Sequence, residues 1–152
     1  MKRNDIDLLA SRAVNIIIEY ITQILNDNEV SHSTIDLYHS KFDGTDMCTI
    51  DIYVPHNNFE KHINLGVGYE YINIIYKEFL NRVISEFLPH EYIGATKFYS
   101  SKGELSNFDG IKLLNTAGSE VEVNMYGIDK NISNEYNSKY DEYKSSIGNK
   151  TL

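Results

Sequence analysis

The stretch Thr34-Ile35-Asp36-Leu37-Tyr38-His39-Ser40-Lys41-Phe42-Asp43-Gly44-Thr45-Asp46-Met47-Cys48-Thr49-Ile50-Asp51-Ile52-Tyr53-Val54-Pro55 decides the fold. Ile35 and Leu37 alternate with Thr34, Asp36 and Tyr38, and beyond Asp43-Gly44 the residues Cys48, Ile50, Ile52 and Val54 alternate with Thr49, Asp51 and Tyr53. A period of two on each side of an Asp-Gly dipeptide predicts a β-hairpin with one apolar face. Pro55 cannot donate to a ladder and ends the second strand. A two-residue turn pairs Phe42 with Thr45, which sets Leu37 against Ile50 and Ile35 against Ile52. On the opposite face it sets Asp36 directly across from Asp51. A four-residue loop makes the two aspartates diagonal neighbours instead. In both registers Tyr38, Thr49 and Tyr53 surround them.

Outward from the hairpin, the spacing predicts a helix from Asp5 to Asn26. Its apolar stripe is Ile6, Leu9, Ala13, Ile16, Ile17, Tyr20, Ile21, Ile24 and Leu25, with Asn4 or Asp5 as its cap. Asn26-Asp27-Asn28 ends it. A third strand is expected over His62 to Gly68, a second helix over Glu70 to Leu88 stopped by Pro89, and a fourth strand over Tyr92 to Tyr99, followed by a polar loop through Ser101-Lys102-Gly103. A last hairpin turns through Thr116-Ala117-Gly118, which pairs Leu113 with Val121, Ile111 with Val123 and Lys112 with Glu122. In the polar tail Ile132, Tyr136, Tyr140, Tyr143 and Ile147 recur at helical spacing. A docked helix from Ser133, its cap, to Ile147 is expected, ended by Gly148.

These elements imply one α+β domain spanning residues 1–152. An antiparallel or mixed sheet of about five or six strands would carry two long helices on one face and a short C-terminal helix. The single cysteine, Cys48, excludes an internal disulfide, and no unbroken apolar run has the length of a membrane span. A cytoplasmic protein is therefore expected. Residue usage rich in Ile, Asn and Tyr suits an AT-rich coding genome, such as that of a low-GC bacterium or a phage.

Motifs for chemistry are few. His32-Ser33-Thr34-Ile35 resembles one half of the paired His-x-Thr/Ser signature of two-histidine phosphoesterases, but His39, His56, His62 and His90 lack Ser or Thr two places on. Gly66-Val67-Gly68 lacks the third glycine of a dinucleotide loop and the Gly-Lys-Ser/Thr of a phosphate loop. His56, Glu60 and His62 are too dispersed for a zinc site, and Cys48 falls on an apolar strand face. No cofactor and no metal are expected, and an enzyme is the less favoured class.

Net charge is −8, from 22 acidic and 14 basic side chains. Direct nucleic-acid binding leaves a basic footprint, which this composition does not supply. Between Asn26 and Glu60, Asp27, Glu29, Asp36, Asp43, Asp46, Asp51 and Glu60 oppose only Lys41. Carboxylates forced together among tyrosines suit the Arg or Lys side chains of a partner. Asp36, Tyr38, Asp43, Asp46, Asp51 and Tyr53 are thus the candidate partner-binding residues. Chains similar in size and charge include immunity proteins and phage anti-defence inhibitors. The expected role is a small acidic protein that occludes a basic partner such as a nuclease or toxin. A phage assembly protein forming homo-oligomers and an enzyme with a dispersed site are the alternatives.

Overall fold

In a computed structural model, which describes residues 3–27, 32–102 and 107–150, Asp43 and Gly44 take φ of 51° and 75° and close a two-residue turn. Both residues have positive φ, the condition for a type I′ hairpin whose twist matches its strands. The strands β1 (Ser33–Phe42) and β2 (Thr45–Val54) pair with Phe42 against Thr45, Leu37 against Ile50, Ile35 against Ile52 and Asp36 against Asp51. The two-residue alternative is the one the chain adopts. Pro55 ends β2 in a 3₁₀ turn, and β3 (Phe59–Gly68) returns along β2 three residues earlier than the alternation suggested. Gly66, at φ 75°, forms a bulge opposite Cys48, and Asn64 Oδ1 accepts from its amide at 2.9 Å.

The remaining strands are β4 (Ile93–Ala95), β5 (Tyr99–Lys102), β6 (Asn107–Asn115) and β7 (Glu120–Met125). The β6–β7 register is as expected: Ile111 faces Val123, Lys112 faces Glu122 and Leu113 faces Val121. The single strand expected over Tyr92 to Tyr99 is broken at residues 96–98, because both β4 and β5 pair with β6 but one residue out of step with each other. The loop expected at Ser101 and Lys102 belongs to β5, while Gly103 lies outside the described residues, as do Asn28 and Glu29. Among the described residues the sheet order is β3-β2-β1-β7-β6-β4, with β5 beside β6, and the β1–β7 pair is the parallel one. A seven-stranded mixed sheet with three helices, counted among the described residues, makes an α+β fold.

Helix α1 (Arg3–Asn26) starts before Asp5, which lies in its first turn and does not cap it. It is long and apolar enough to cross a membrane, yet Ala13, Val14, Ile17 and Ile21 join the core with Ile35, Leu37, Ile50, Ile52, Ile111, Leu113, Val121 and Val123. Every second residue of these strands is thus committed to one face. The stretch expected as one helix from Glu70 to Leu88 is a 3₁₀ turn at Tyr69–Tyr71, α2 (Ile72–Arg82) and a wider π turn at Val83–Phe87. Helix α2 packs against α1 and α3 (Lys130–Lys150).

Helix α3 has 21 residues, so the C-terminal helix is long, and it runs through Gly148. Its cap is Asp129, whose Oδ1 accepts from the amide of Asn131 at 2.9 Å; Ser133 is buried inside the helix and donates to Lys130 O. Tyr136 is fully buried and Tyr140 and Tyr143 are half-buried, whereas Ile147 is exposed. The helix repairs the broken edge strand. Tyr136 Oη donates to Thr96 O at 3.0 Å, and Asn137 Oδ1 accepts from the amide of Phe98 at 2.9 Å. Backbone groups freed by the break are therefore paired, as buried polar groups must be.

Candidate functional site

The face of the sheet away from the core is built from the alternate residues of each strand. Pairing carries one row straight across it: His62 on β3, Asp51 on β2, Asp36 on β1, Asn124 on β7, Gly110 on β6 and Tyr99 on β5. A neighbouring row holds Glu60, Tyr53, Thr34, Glu122 and Lys112. Each like-charge cross-strand pair costs a few tenths of a kcal/mol or more, and here Asp36 and Asp51 are directly opposed.

The two carboxylates are held differently. Asp51 accepts from Tyr38 Oη at 2.6 Å on Oδ2, and its Oδ1 is 2.6 Å from His62 Nδ1. Asp36 Oδ1 accepts from Asn124 Nδ2 at 2.8 Å. Burial raises the Asp36 carboxyl above its ordinary value; Asn124 lowers it, and Asp51 and Glu122 raise it further. Burial, with the hydrogen bond to Asp51, likewise raises the Tyr38 phenol, which stays a protonated donor. Gly110 is required beneath this row, because a Cβ there would lie 2.7 Å from both Asn124 Oδ1 and Val123 O.

The candidate residues therefore divide. Asp36, Tyr38, Asp51 and Tyr53 share the outer face, and Tyr53 is exposed. Asp43 is in the turn. Asp46 lies at the hairpin's end on the other side of the ribbon, its Oδ1 2.7 Å from His39 Nε2, a contact that lowers its carboxyl. Cys48 is buried, its Sγ donating to Gly68 O at 3.4 Å, and burial pushes its thiol up to about 12, which leaves it no nucleophilic character near neutrality. Among the described residues no three His, Cys, Asp or Glu side chains form a group that could hold a metal ion.

Residues that sequence reasoning left out of the site are His62, Asn124, Tyr69 and Tyr126. Asp36, Tyr38, His39, Tyr69 and Tyr126 line a cleft of about 410 Å³ beside the middle of β1, where β7 ends. Tyr126 follows the alternation of Glu122 and Asn124, and His62 that of Glu60 and Asn64, so parity marked both. Tyr69 reaches the site from the turn preceding α2, which parity could not reveal. No protein-family model, curated protein or solved structure matches the chain.

The opposed aspartates differ in their expected response to substitution. Asp36 has a folded pKa above its unfolded value, so its protonation favours folding and its contribution is lost as pH rises through the folded pKa. Asp36→Asn keeps an oxygen for Asn124 and cannot ionise. It should melt higher than the parent at neutral pH, the advantage fading as pH falls into the carboxylate range. Asp51→Asn weakens two charge-assisted contacts and should melt lower at neutral pH. Thermal melts across pH check both signs, and equal shifts for the two variants would show that neither carboxylate is held as described.

Proposed function

We propose that this protein is an acidic protein-binding inhibitor whose outer sheet face occludes a basic partner such as a nuclease or toxin. The observation supporting it is the direct opposition of Asp36 and Asp51 on an outer face that also carries Tyr38 and the exposed Tyr53. A cation placed between the carboxylates relieves their mutual repulsion, while the rings supply contact area at small entropic cost. Glu60 and Glu122 add negative charge in the next row, offset at its far end by Lys112, and the chain's net charge of −8 has the same sign. Association with a cationic groove would be fast and salt-sensitive.

Titration of the domain into a panel of basic nucleases and toxins, read by residual activity and by calorimetry, tests this. A stoichiometric inhibition is expected that weakens as salt rises. Asp51→Asn combined with Tyr53→Ala should weaken it by about tenfold or more, the scale of losing charge-assisted contacts. Inhibition that ignores both substitutions and salt would remove this face from the function.

A further inference from the structure

We propose that the cleft formed by Tyr38, Tyr69 and Tyr126 is an arginine pocket, in which a guanidinium of the protein partner stacks among the rings and pairs with Asp36. The proposal deepens the inhibitor function above and rests on it for the source of the arginine, although the pocket's chemistry stands on its own geometry.

Three tyrosines and one half-buried carboxylate converge there. Tyr38 and Tyr126 meet edge to face with ring centroids 6.4 Å apart, and the Tyr38 hydroxyl is fixed on Asp51, so its ring orientation is set before anything binds. On the other side the Tyr69 ring lies 4.6 Å from the His39 ring. The Tyr69 hydroxyl comes within 2.6 Å of where a Cβ would stand on Gly127, whose φ of 72° also suits glycine. From beneath, the single Tyr76 hydroxyl proton is shared between Leu37 O at 2.9 Å and Tyr126 O at 2.7 Å, pinning the backbones that carry Tyr38 and Tyr126. The walls are thus held both by contacts among the lining rings and by Asp51, Gly127 and Tyr76 outside the cleft.

The charge of the site selects the occupant. Asp36 lines the cleft with Asp51 opposite it and Glu122 nearby, and the cation closest in sequence, Lys41, lies toward the hairpin turn beside Asp46. Aromatic faces attract cations, most strongly when water is excluded. Between the two side chains that are cationic throughout the neutral range, arginine fits better than lysine: its guanidinium is planar, stacks on rings, is weakly hydrated and offers a fork of donors to a carboxylate. A volume of about 410 Å³ is large enough for one such side chain and too small for a folded segment.

The test needs no partner. N-acetyl-arginine methylamide and its lysine counterpart are titrated into the full chain, and amide shifts are followed by two-dimensional NMR. The arginine derivative should shift Tyr38, Tyr69, Tyr126 and Gly127 and saturate on the order of millimolar, as a single side chain can. Asp36→Asn, a variant expected to fold at least as well as the parent, should weaken that binding by about tenfold, and Tyr69→Leu should weaken it with the melting temperature retained. Absence of these shifts, equal response to lysine, or an unaltered titration in Asp36→Asn overturns the pocket. A pocket overturned in this way, alongside nuclease inhibition still sensitive to Asp51→Asn with Tyr53→Ala, would remove the arginine anchor and leave the inhibitory face standing.

Discussion

Replacing Tyr76 by alanine is expected to remove about 4–5 kcal/mol of stability, the upper range for deleting a buried aromatic ring. Tyr76 is fully buried in the core, so its loss leaves a cavity among well-packed neighbours. Its one hydroxyl proton is also shared between two carbonyls far apart in sequence, Leu37 O on β1 and Tyr126 O just past β7. Burial raises the phenol well above its ordinary value, so the donor is present throughout the accessible pH range. Loss on this scale lowers the melting temperature by roughly 10–20 °C in a chain of this size. Tyr76→Phe separates ring from hydroxyl. Leu37 O keeps the Tyr126 amide as a donor at 3.0 Å, but Tyr126 O loses the Tyr76 hydroxyl, for a cost of about 1–3 kcal/mol. Chemical denaturation of both variants provides the check. A phenylalanine variant as stable as the parent would show that the ring alone holds the middle of β1 to the end of β7.

That junction also marks the limit of what the sequence discloses. The hairpins were legible because their determinants are local: Asp43-Gly44 and Gly118 supply positive φ, and alternation then fixes every pair. Opposition of Asp36 and Asp51 follows from pairing arithmetic alone. The parallel pairing of β1 with β7 has no local signature, since Ser33 and Val121 lie far apart in sequence with every other strand between them. Asn124 reaches Asp36, and Tyr126 reaches Tyr38, solely through that pairing. Three of the cleft's five lining residues, Asp36, Tyr38 and His39, come from one strand, yet Tyr69 and Tyr126 make it a cleft. The start of α3 is a different case. Asp129 carried a capping signal as good as that of Ser133, and burial of Ser133 against α3's own first turn decided between them. The break in the edge strand could not be read from residues 96–98, because its freed backbone groups are satisfied by side chains some forty positions away, Tyr136 and Asn137.

Ending the chain after Asp129 is expected to cost about 3–5 kcal/mol, close to the effect of Tyr136→Ala alone. Most of what α3 contributes is concentrated in its middle. Tyr136 is 2 % exposed, its ring meets Phe98 edge to face at 5.4 Å, and its hydroxyl serves Thr96 O. Asn137 serves the amide of Phe98 one turn away from the Lys97–Asp141 ion pair. Without these groups the interrupted edge strand exposes an amide and a carbonyl, and Phe98 and Ile84 lose partners in the packing. Two exposed ion pairs of α3, Lys97 with Asp141 and Lys139 with Glu135, add little because solvent screens them, whereas the truncation also takes Lys130 from the mostly buried Asp109. A second truncation, after Tyr143, removes the exposed Ile147 and should melt within a degree or two of the full chain. Comparing the two by calorimetry locates the contribution. If both truncations melt alike, the dock between Tyr136 and the strand break is not what stabilises this edge of the sheet.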